Sequence, residues 1–371
     1  MKCFRQLPVF VLILLCVIGR SESGETGRVK AVWVTRWGFE SKSDLRDLFE
    51  NLEPLGINMV FFQARGACDA LYRSAYEPWS AVLTDTLGVY PGWDPLGAAI
   101  EEGHARGMEV HAWINVFSAW PVSDEGSPPP KTVPSHVMRV HPNWIAVDRD
   151  GEPMSLLKSE TRYNYAFLSP THPSAQQHVE DVVTDLVGRY EIDGLHLDHV
   201  RFPDSSFSYD SRSKAGYISA LRDTQITYAD WRRENLSEFV GRLADAARTS
   251  RPGVAVSAAV WQKIEAGRQY HFQDGIEWVT RGYVDFLVPM IYTVSLEAFE
   301  ERLSAYSALA GPERVIAGMG PYLEGFTDSI FSEQLEAIRE SGVRGVAIFN
   351  SDYALTYSSL VEAYEPAVQE Q

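Results

Sequence analysis

The chain has little cysteine: Cys3, Cys16 and Cys68 are all that 371 residues contain. Thiols so placed make no paired metal-ligand spacing and no disulfide framework, so the fold must be held by a hydrophobic core. Positive charge is also short. Acids outnumber bases by 50 to 33, giving a formal net charge of −17, and a field of that sign repels a phosphate backbone. A general nucleic-acid binder is thereby excluded. Several chemical signatures are missing: His-Glu-x-x-His, a calcium-loop spacing and the Gly-x-Ser-x-Gly nucleophile elbow. No metal or cofactor is expected. The composition itself is ordinary, at 45% hydrophobic and 22% charged, which rules out a disordered, collagenous or polytopic membrane chain. Aromatics run rich, with 10 Trp and 17 Tyr. Their flat faces and polar handles suit sugars, and they equally fill cores.

The first residues read as an address. Lys2 and Arg5 precede an apolar run from Leu7 to Ile18, too short to span a bilayer, and Ser21-Glu22-Ser23 supplies small residues for cleavage. Residues 1–23 are expected to be a signal peptide, with export to the periplasm or medium. Residues 24–371 would then form one catalytic domain. Cys16 raises a lipoprotein alternative, weakened by the bulky Leu15 before it, so membrane contact is expected only if Cys16 is lipidated.

Period and punctuation give the organisation. Strands are expected at residues 29–36, 58–64, 109–115, 194–198, 254–260, 285–292, 315–319 and 345–349. Helices are expected at 43–53 (capped by Ser43), 94–105, 173–190, 228–249, 276–281, 296–310, 328–341 and from 355. Near-continuous apolar strands alternating with helices imply a parallel sheet covered on its outside. Eight such units close an α/β (β/α)8 barrel. A doubly wound open sheet is the alternative, but no Gly-rich phosphate turn follows the first strand. Long connections at 116–172 and 201–227 follow the third and fourth strands, at the end where a barrel builds its active site.

Alternation sorts the candidates. In Asp193-Gly194-Leu195-His196-Leu197-Asp198 the leucines suit the helix layer, so His196 and Asp198 point into the barrel. An inward carboxylate at a strand's C-terminal end is costly unless it is paired or used. Asp198 is therefore either catalytic or bridged to Arg201 or Arg36, whereas Asp193 reads as a turn or cap. His199 should face away from Asp198. Along the third strand His111, Trp113 and Asn115 share a face. Asn115 suits a substrate hydroxyl, Trp113 is a sugar platform or barrel filling, and His111 is a core histidine. At other strand ends stand Arg36, Gln63 and Arg65, Tyr292, and Asn350 with Asp352. Asp69 and Glu265 lie on the loops after the second and fifth strands, and Tyr76-Glu77-Pro78-Trp79 suits an edge of the cleft.

Several segments resemble the bacterial glycosyl-hydrolase-like family 10 domain. They are Val32-Trp33-Val34-Thr35, Phe61-Phe62-Gln63-Ala64-Arg65, Tyr76-Glu77-Pro78-Trp79, Trp93-Asp94-Pro95-Leu96 and His111-Ala112-Trp113-Ile114-Asn115. His141-Pro142-Asn143-Trp144, Asp193 to Asp198 with Arg201-Phe202-Pro203, and Pro289-Met290-Ile291-Tyr292 belong with them. The resemblance runs from about Arg28 to about Tyr357. It implies a (β/α)8 barrel acting on a glycan, and one branch cleaves peptidoglycan strands stripped of their peptides. It also implies that the family's strand-four aspartate is Asp198. Strand four resembles that of family 18 chitinases too, but Val200 stands where their catalytic Glu would be and His196 replaces an Asp.

The leading expectation is an exported O-glycosyl hydrolase working by carboxylate acid/base catalysis on a polysaccharide. Such chemistry ordinarily needs two carboxyls flanking the scissile bond. Asp198 is the first, and Asp69, Glu265 and Asp352 compete to be the second. Arg36, Gln63, Arg65, Trp113, Asn115, His196, Arg201, Tyr292 and Asn350 are the expected substrate contacts. A carbohydrate-binding pseudoenzyme on the same barrel is the alternative, told apart by carboxylate separations across the mouth. A metal-dependent deacetylase or esterase is a third reading, which bound metal would revive.

Overall fold

The computed structural model describes residues 28–364, so the expected leader, with Cys3 and Cys16, lies outside the described residues. Eight parallel strands are present: β1 (Val29–Val34), β2 (Met59–Arg65), β3 (Glu109–Asn115), β4 (Gly194–Asp198), β5 (Ala255–Val260), β6 (Phe286–Pro289), β7 (Ile316–Met319) and β8 (Gly345–Phe349). Their spatial order is β6-β5-β4-β3-β2-β1-β8-β7. Parallel bridges from Leu287 to Val315 and from Met290 to Gly318 close β6 onto β7. The architecture is a (β/α)8 barrel.

Side-chain alternation divides the apolar content into two cores. Outward residues such as Val32, Val34, Val60, Phe62, Leu195 and Leu197 join the helix layer. Inward residues such as Ala31, Trp33, Phe61, Trp113, Phe286 and Val288 fill the barrel. Gly194 opens β4 because a Cβ there would collide with the inward His111 ring across the register His111–Gly194.

Local signals set the helix starts. Asp94 accepts from the Gly97 N–H, with Pro95 in the first turn of Pro95–His104. The first helix, Lys42–Leu52, is capped by Ser41 in a reciprocal box with Asp44, two residues ahead of the expected Ser43.

Both long connections carry structure of their own. Residues 116–172 hold an antiparallel ribbon, Ser118–Pro121 against Tyr165–Phe167. The stretch after β4 holds a helix, Ser211–Ala220, whose cap Asp210 accepts from the Arg212 and Ser213 N–H groups.

Candidate active site

A cleft of about 210 Å³ opens at the C-terminal ends of the strands. Asp198 and Asn115 are direct register partners at the ends of β4 and β3 and lie at this one mouth. Trp113, Gln63 and Tyr292, all read from the sequence, line it as well. So do Met290, which alternation places on the face of Tyr292, and residues that alternation did not reveal: Trp33, Thr35, Trp37, Tyr165, His199, Tyr322 and Phe349. The ribbon supplies Tyr165, and the loop after β7 supplies Tyr322. The cleft is thus a largely aromatic cup, with Thr35, Gln63, Asn115, Asp198 and His199 among its polar groups.

The expected bridge to Asp198 comes from Arg201 and not from Arg36. Arg201 Nη1 lies 3.4 Å from Asp198 Oδ1, and the His199 N–H donates to the same oxygen at 2.6 Å. Burial pushes the Asp198 carboxyl up. His199, Arg201, His196 and the His199 N–H outweigh that and hold it below its ordinary range. Burial first, then Arg201, push the His199 imidazole down to about 4, so it is neutral at pH 7. Arg201 and the His199 N–H are therefore what keep Asp198 ionised at neutral pH.

His199 was expected to face away. β4 ends at Asp198, and His199 turns through a left-handed backbone (φ 49°) that swings its ring back into the cleft. Its Nδ1 lies 2.8 Å from Ser118 Oγ, and its ring stacks on Phe167 at 5.7 Å, so both ribbon strands hold it.

Other expected contacts are placed elsewhere. Arg65 is wholly buried, forked onto Glu77 at 2.7 and 2.8 Å, with further bonds to the Asn115 and Val116 carbonyls. It supports the end of β3 from behind. Arg36 pairs with Asp69 at 3.2 Å and lies 4.6 Å from the Trp37 ring centroid, so it sits behind the cleft wall. Asp69 is consumed by that pair and by the Ala67 N–H at 2.7 Å. His196 lies under the floor, accepting from Trp33 Nε1 at 3.2 Å, with Nδ1 2.9 Å from Ser257 Oγ. Glu265 is exposed on the helix Ile264–Tyr270 and accepts from Gln269. Asn350 caps the helix Ser351–Thr356 by accepting from the Asp352 N–H at 3.2 Å, and the Asp352 side chain is exposed. Neither Glu265 nor Asp352 lines the cleft. Among the described residues, Asp198 is the one carboxylate in its lining.

The sequence profile of the glycosyl hydrolase-like 10 family matches residues 28–317, which includes six of the eight strands and the Asp198 motif. The chain belongs to the glycosyl hydrolase-like 10 family.

Relatives of this glycosyl hydrolase-like 10 chain include the glycosyl hydrolase YngK of Bacillus subtilis (strain 168), 28% identical over 278 residues, covering 70% of this chain and 51% of that protein. The glycosyl hydrolase DigH of Escherichia coli (strain K12) is 29% identical over 285 residues, covering 71% and 60%. The chain thus spans between about half and three-fifths of the length of these curated relatives. Among solved structures, the glycoside hydrolase domain of PgaB (BpsB) from Bordetella bronchiseptica superposes with a TM-score of 0.68 at 14% identity, covering 93% of this chain and 100% of that one. Alpha-L-fucosidase isoenzyme 2 from Paenibacillus thiaminolyticus gives 0.64 at 18% identity, covering 91% and 49%. At these identities the likeness is one of fold.

Among the described residues of this glycosyl hydrolase-like 10 barrel, two residues that line the cleft each hold a polar atom that is closed off from solvent and has no hydrogen-bond partner. They are Trp113, at Nε1, and Asn115, at Oδ1. Trp33, on the neighbouring wall, spends its indole N–H on His196. Burial pushes the His196 imidazole down to about 3, so it receives that proton as a neutral ring.

Proposed function

We propose that this chain is an exported glycoside hydrolase that cleaves O-glycosidic bonds of a polysaccharide, with peptide-free peptidoglycan strands as its substrate. One observation supports this most: an ionised Asp198 lies beside His199 in an aromatic cup at the catalytic end of a (β/α)8 barrel. Cleavage needs electron density at the anomeric carbon and a proton for the leaving oxygen. An ionised Asp198 suits the first task. For the second, His199 adjoins it, titrates in acid, and presents its ring to the cleft. Export rests on the leader read at Met1 to Ser23.

The test is incubation of the purified chain with peptide-free glycan strands and a panel of glucans, with products read by mass. Shortened glycan strands support the reading, and intact strands under all conditions overturn it. A single carboxylate in the lining favours a second reading, a carbohydrate-binding protein on the same barrel. Strands retained by the protein but never cut would establish that one instead.

A further inference from the structure

Arg201 is held to Asp198 by one long contact. Its Nη1 lies 3.4 Å from Asp198 Oδ1, and among the described residues its guanidinium makes no other hydrogen bond. A charge-assisted bond is ordinarily about 2.7–2.9 Å, so this contact alone is a weak restraint on a long, flexible side chain. A second surface meets the guanidinium. Its Cζ lies 5.6 Å from the Trp261 ring centroid, inside the cation–π range of about 6 Å.

Trp261 directly follows β5 and is itself braced. Its N–H donates to Gln273 Oε1 at 2.7 Å, and its carbonyl accepts from the Tyr306 hydroxyl, on the helix Leu296–Ala310, at 2.6 Å. The His271 ring packs on the indole with centroids 4.4 Å apart. His271 in turn clasps the residue after Arg201. Its Nδ1 lies 3.0 Å from the Phe202 carbonyl oxygen, and the Phe202 N–H donates to its carbonyl at 3.1 Å. Gly267 makes room for this packing, since a Cβ there would lie 3.2 Å from Trp261 Cβ. Trp261 does not line the cleft, so its influence on the chemistry runs through Arg201.

Resting on the reading of Asp198 as the ionised carboxylate of a glycan-cleaving site, we propose that Trp261 is a positioning residue whose indole face holds the Arg201 guanidinium against Asp198. His199, Arg201, His196 and Tyr292 face Asp198. At pH 7 both imidazoles are neutral and the buried Tyr292 hydroxyl keeps its proton, which leaves Arg201 as the cation of the group. His271, pushed down by burial, adds no charge beside Arg201. Without the indole face Arg201 is free to swing away, and a carboxylate that loses its opposite charge takes up its proton at a higher pH.

The experiment follows Asp198 directly by carbon-13 NMR of the full chain labelled at its aspartate carboxyls, with the resonance identified by its loss in Asp198→Asn. Trp261→Leu should raise the Asp198 midpoint by roughly half to one pH unit, part of what a neighbouring opposite charge supplies. Trp261→Phe, which keeps a ring face, should raise it much less. Added to Arg201→Gln, Trp261→Leu should shift the midpoint no further, because the cation it acts through is gone. The acid limb of turnover on glycan strands should move with the midpoint, with KM within about twofold. An unmoved midpoint in folded Trp261→Leu, or an equal rise in the Arg201→Gln background, overturns the positioning role. The unsubstituted protein gives a test that no folding defect can spoil: the Arg201 side-chain protons should resonate upfield, shielded by the indole, and ordinary shifts there also overturn it. The titration needs no substrate. A raised midpoint in a chain that cuts no glycan upholds the contact and overturns the glycan reading, and an unmoved one in an active chain does the reverse.

Discussion

Arg201 and Asp198, three residues apart where β4 runs out, form an ion pair with Nη1 3.4 Å from Oδ1 at the base of an aromatic cleft. The pair fixes the charge state of the one carboxylate in that lining. Asp198→Asn keeps the shape and removes the charge. Turnover on a glycan strand should fall by roughly 10²–10⁴-fold, or more if Asp198 is the nucleophile, while binding changes little. Asp352→Asn and Glu265→Gln, exposed and outside the cleft, should keep turnover within about twofold and stability within about 0.5 kcal/mol. Mass-resolved product formation checks all three. Loss of turnover in Asp352→Asn with none in Asp198→Asn would reverse the assignment.

The position of His199 gives a pH prediction. Its imidazole is pushed down to about 4, so the protonated form is scarce at pH 7 and grows as the pH falls. Turnover should therefore rise toward mild acid, limited at the low end by protonation of Asp198 below its ordinary range. His199→Gln should flatten that limb. It should also slow natural strands far more than a glycoside with an activated aryl leaving group, which needs no proton. Equal losses on both substrates would mark His199 as a structural residue only.

The barrel was legible because its strands are short apolar runs between strongly periodic helices, and β3, β4 and β8 start and stop at the expected residues. Asp198 and Asn115 were legible for the same reason: each is the last residue of a strand, where alternation still holds. It fails one residue later. His199 enters the cleft through a left-handed turn, and Asn350 starts a helix that carries Asp352 out to solvent. Arg65 was read as a substrate contact because it ends a strand. Its partner Glu77 lies twelve residues on, in a loop whose path no local pattern records. The ribbon holding Tyr165 was equally hidden, since strands of three and four residues are too short to show a period.

Arg65 and Glu77 predict a stability effect in place of a binding effect. Both are fully buried. Burial pushes the Glu77 carboxyl up, but Arg65 and His178 pull it down to about 2. Glu77→Gln leaves the guanidinium without its counter-charge in the interior, which typically costs 3–5 kcal/mol. Arg65→Lys should also destabilise, because an ammonium cannot reproduce the fork. Urea titration of both variants checks this. A loss below about 1 kcal/mol in each would show that the pair is not needed for the fold.

His196 makes the fold acid-sensitive. Its folded-state pKa is depressed to about 3 by burial, against an ordinary 6.5. Above pH 6.5 both folded and unfolded rings are neutral and the residue has no effect. Between 6.5 and about 3 the unfolded chain takes up a proton that the folded chain refuses, so stability falls with pH. The loss amounts to about 4 kcal/mol across that window. A His196→Gln variant should have a flatter stability profile there, whatever its stability at neutral pH. Parallel profiles for the two proteins would show that His196 is protonated when folded.

Trp37 tests the aromatic wall without touching the chemistry. Its side chain is 61% exposed, an unusual position for a large ring, and it lines the cleft. The Arg36 guanidinium lies 4.6 Å from its ring centroid, and the Asp69 pair anchors Arg36 in turn. A ring steadied from one side is ready to take the flat face of a sugar, with little ordering left to do on binding. Trp37→Ala removes that contact and nothing from the core. An aromatic contact is worth about 0.5–1.5 kcal/mol, so KM should rise roughly 2- to 10-fold with kcat close to unchanged. Trp37→Phe, which keeps a ring, should recover most of the loss. Stability should stay within about 0.5 kcal/mol, as for other exposed positions. A fall in kcat at constant KM would place Trp37 in the chemical step and remove it from the binding wall.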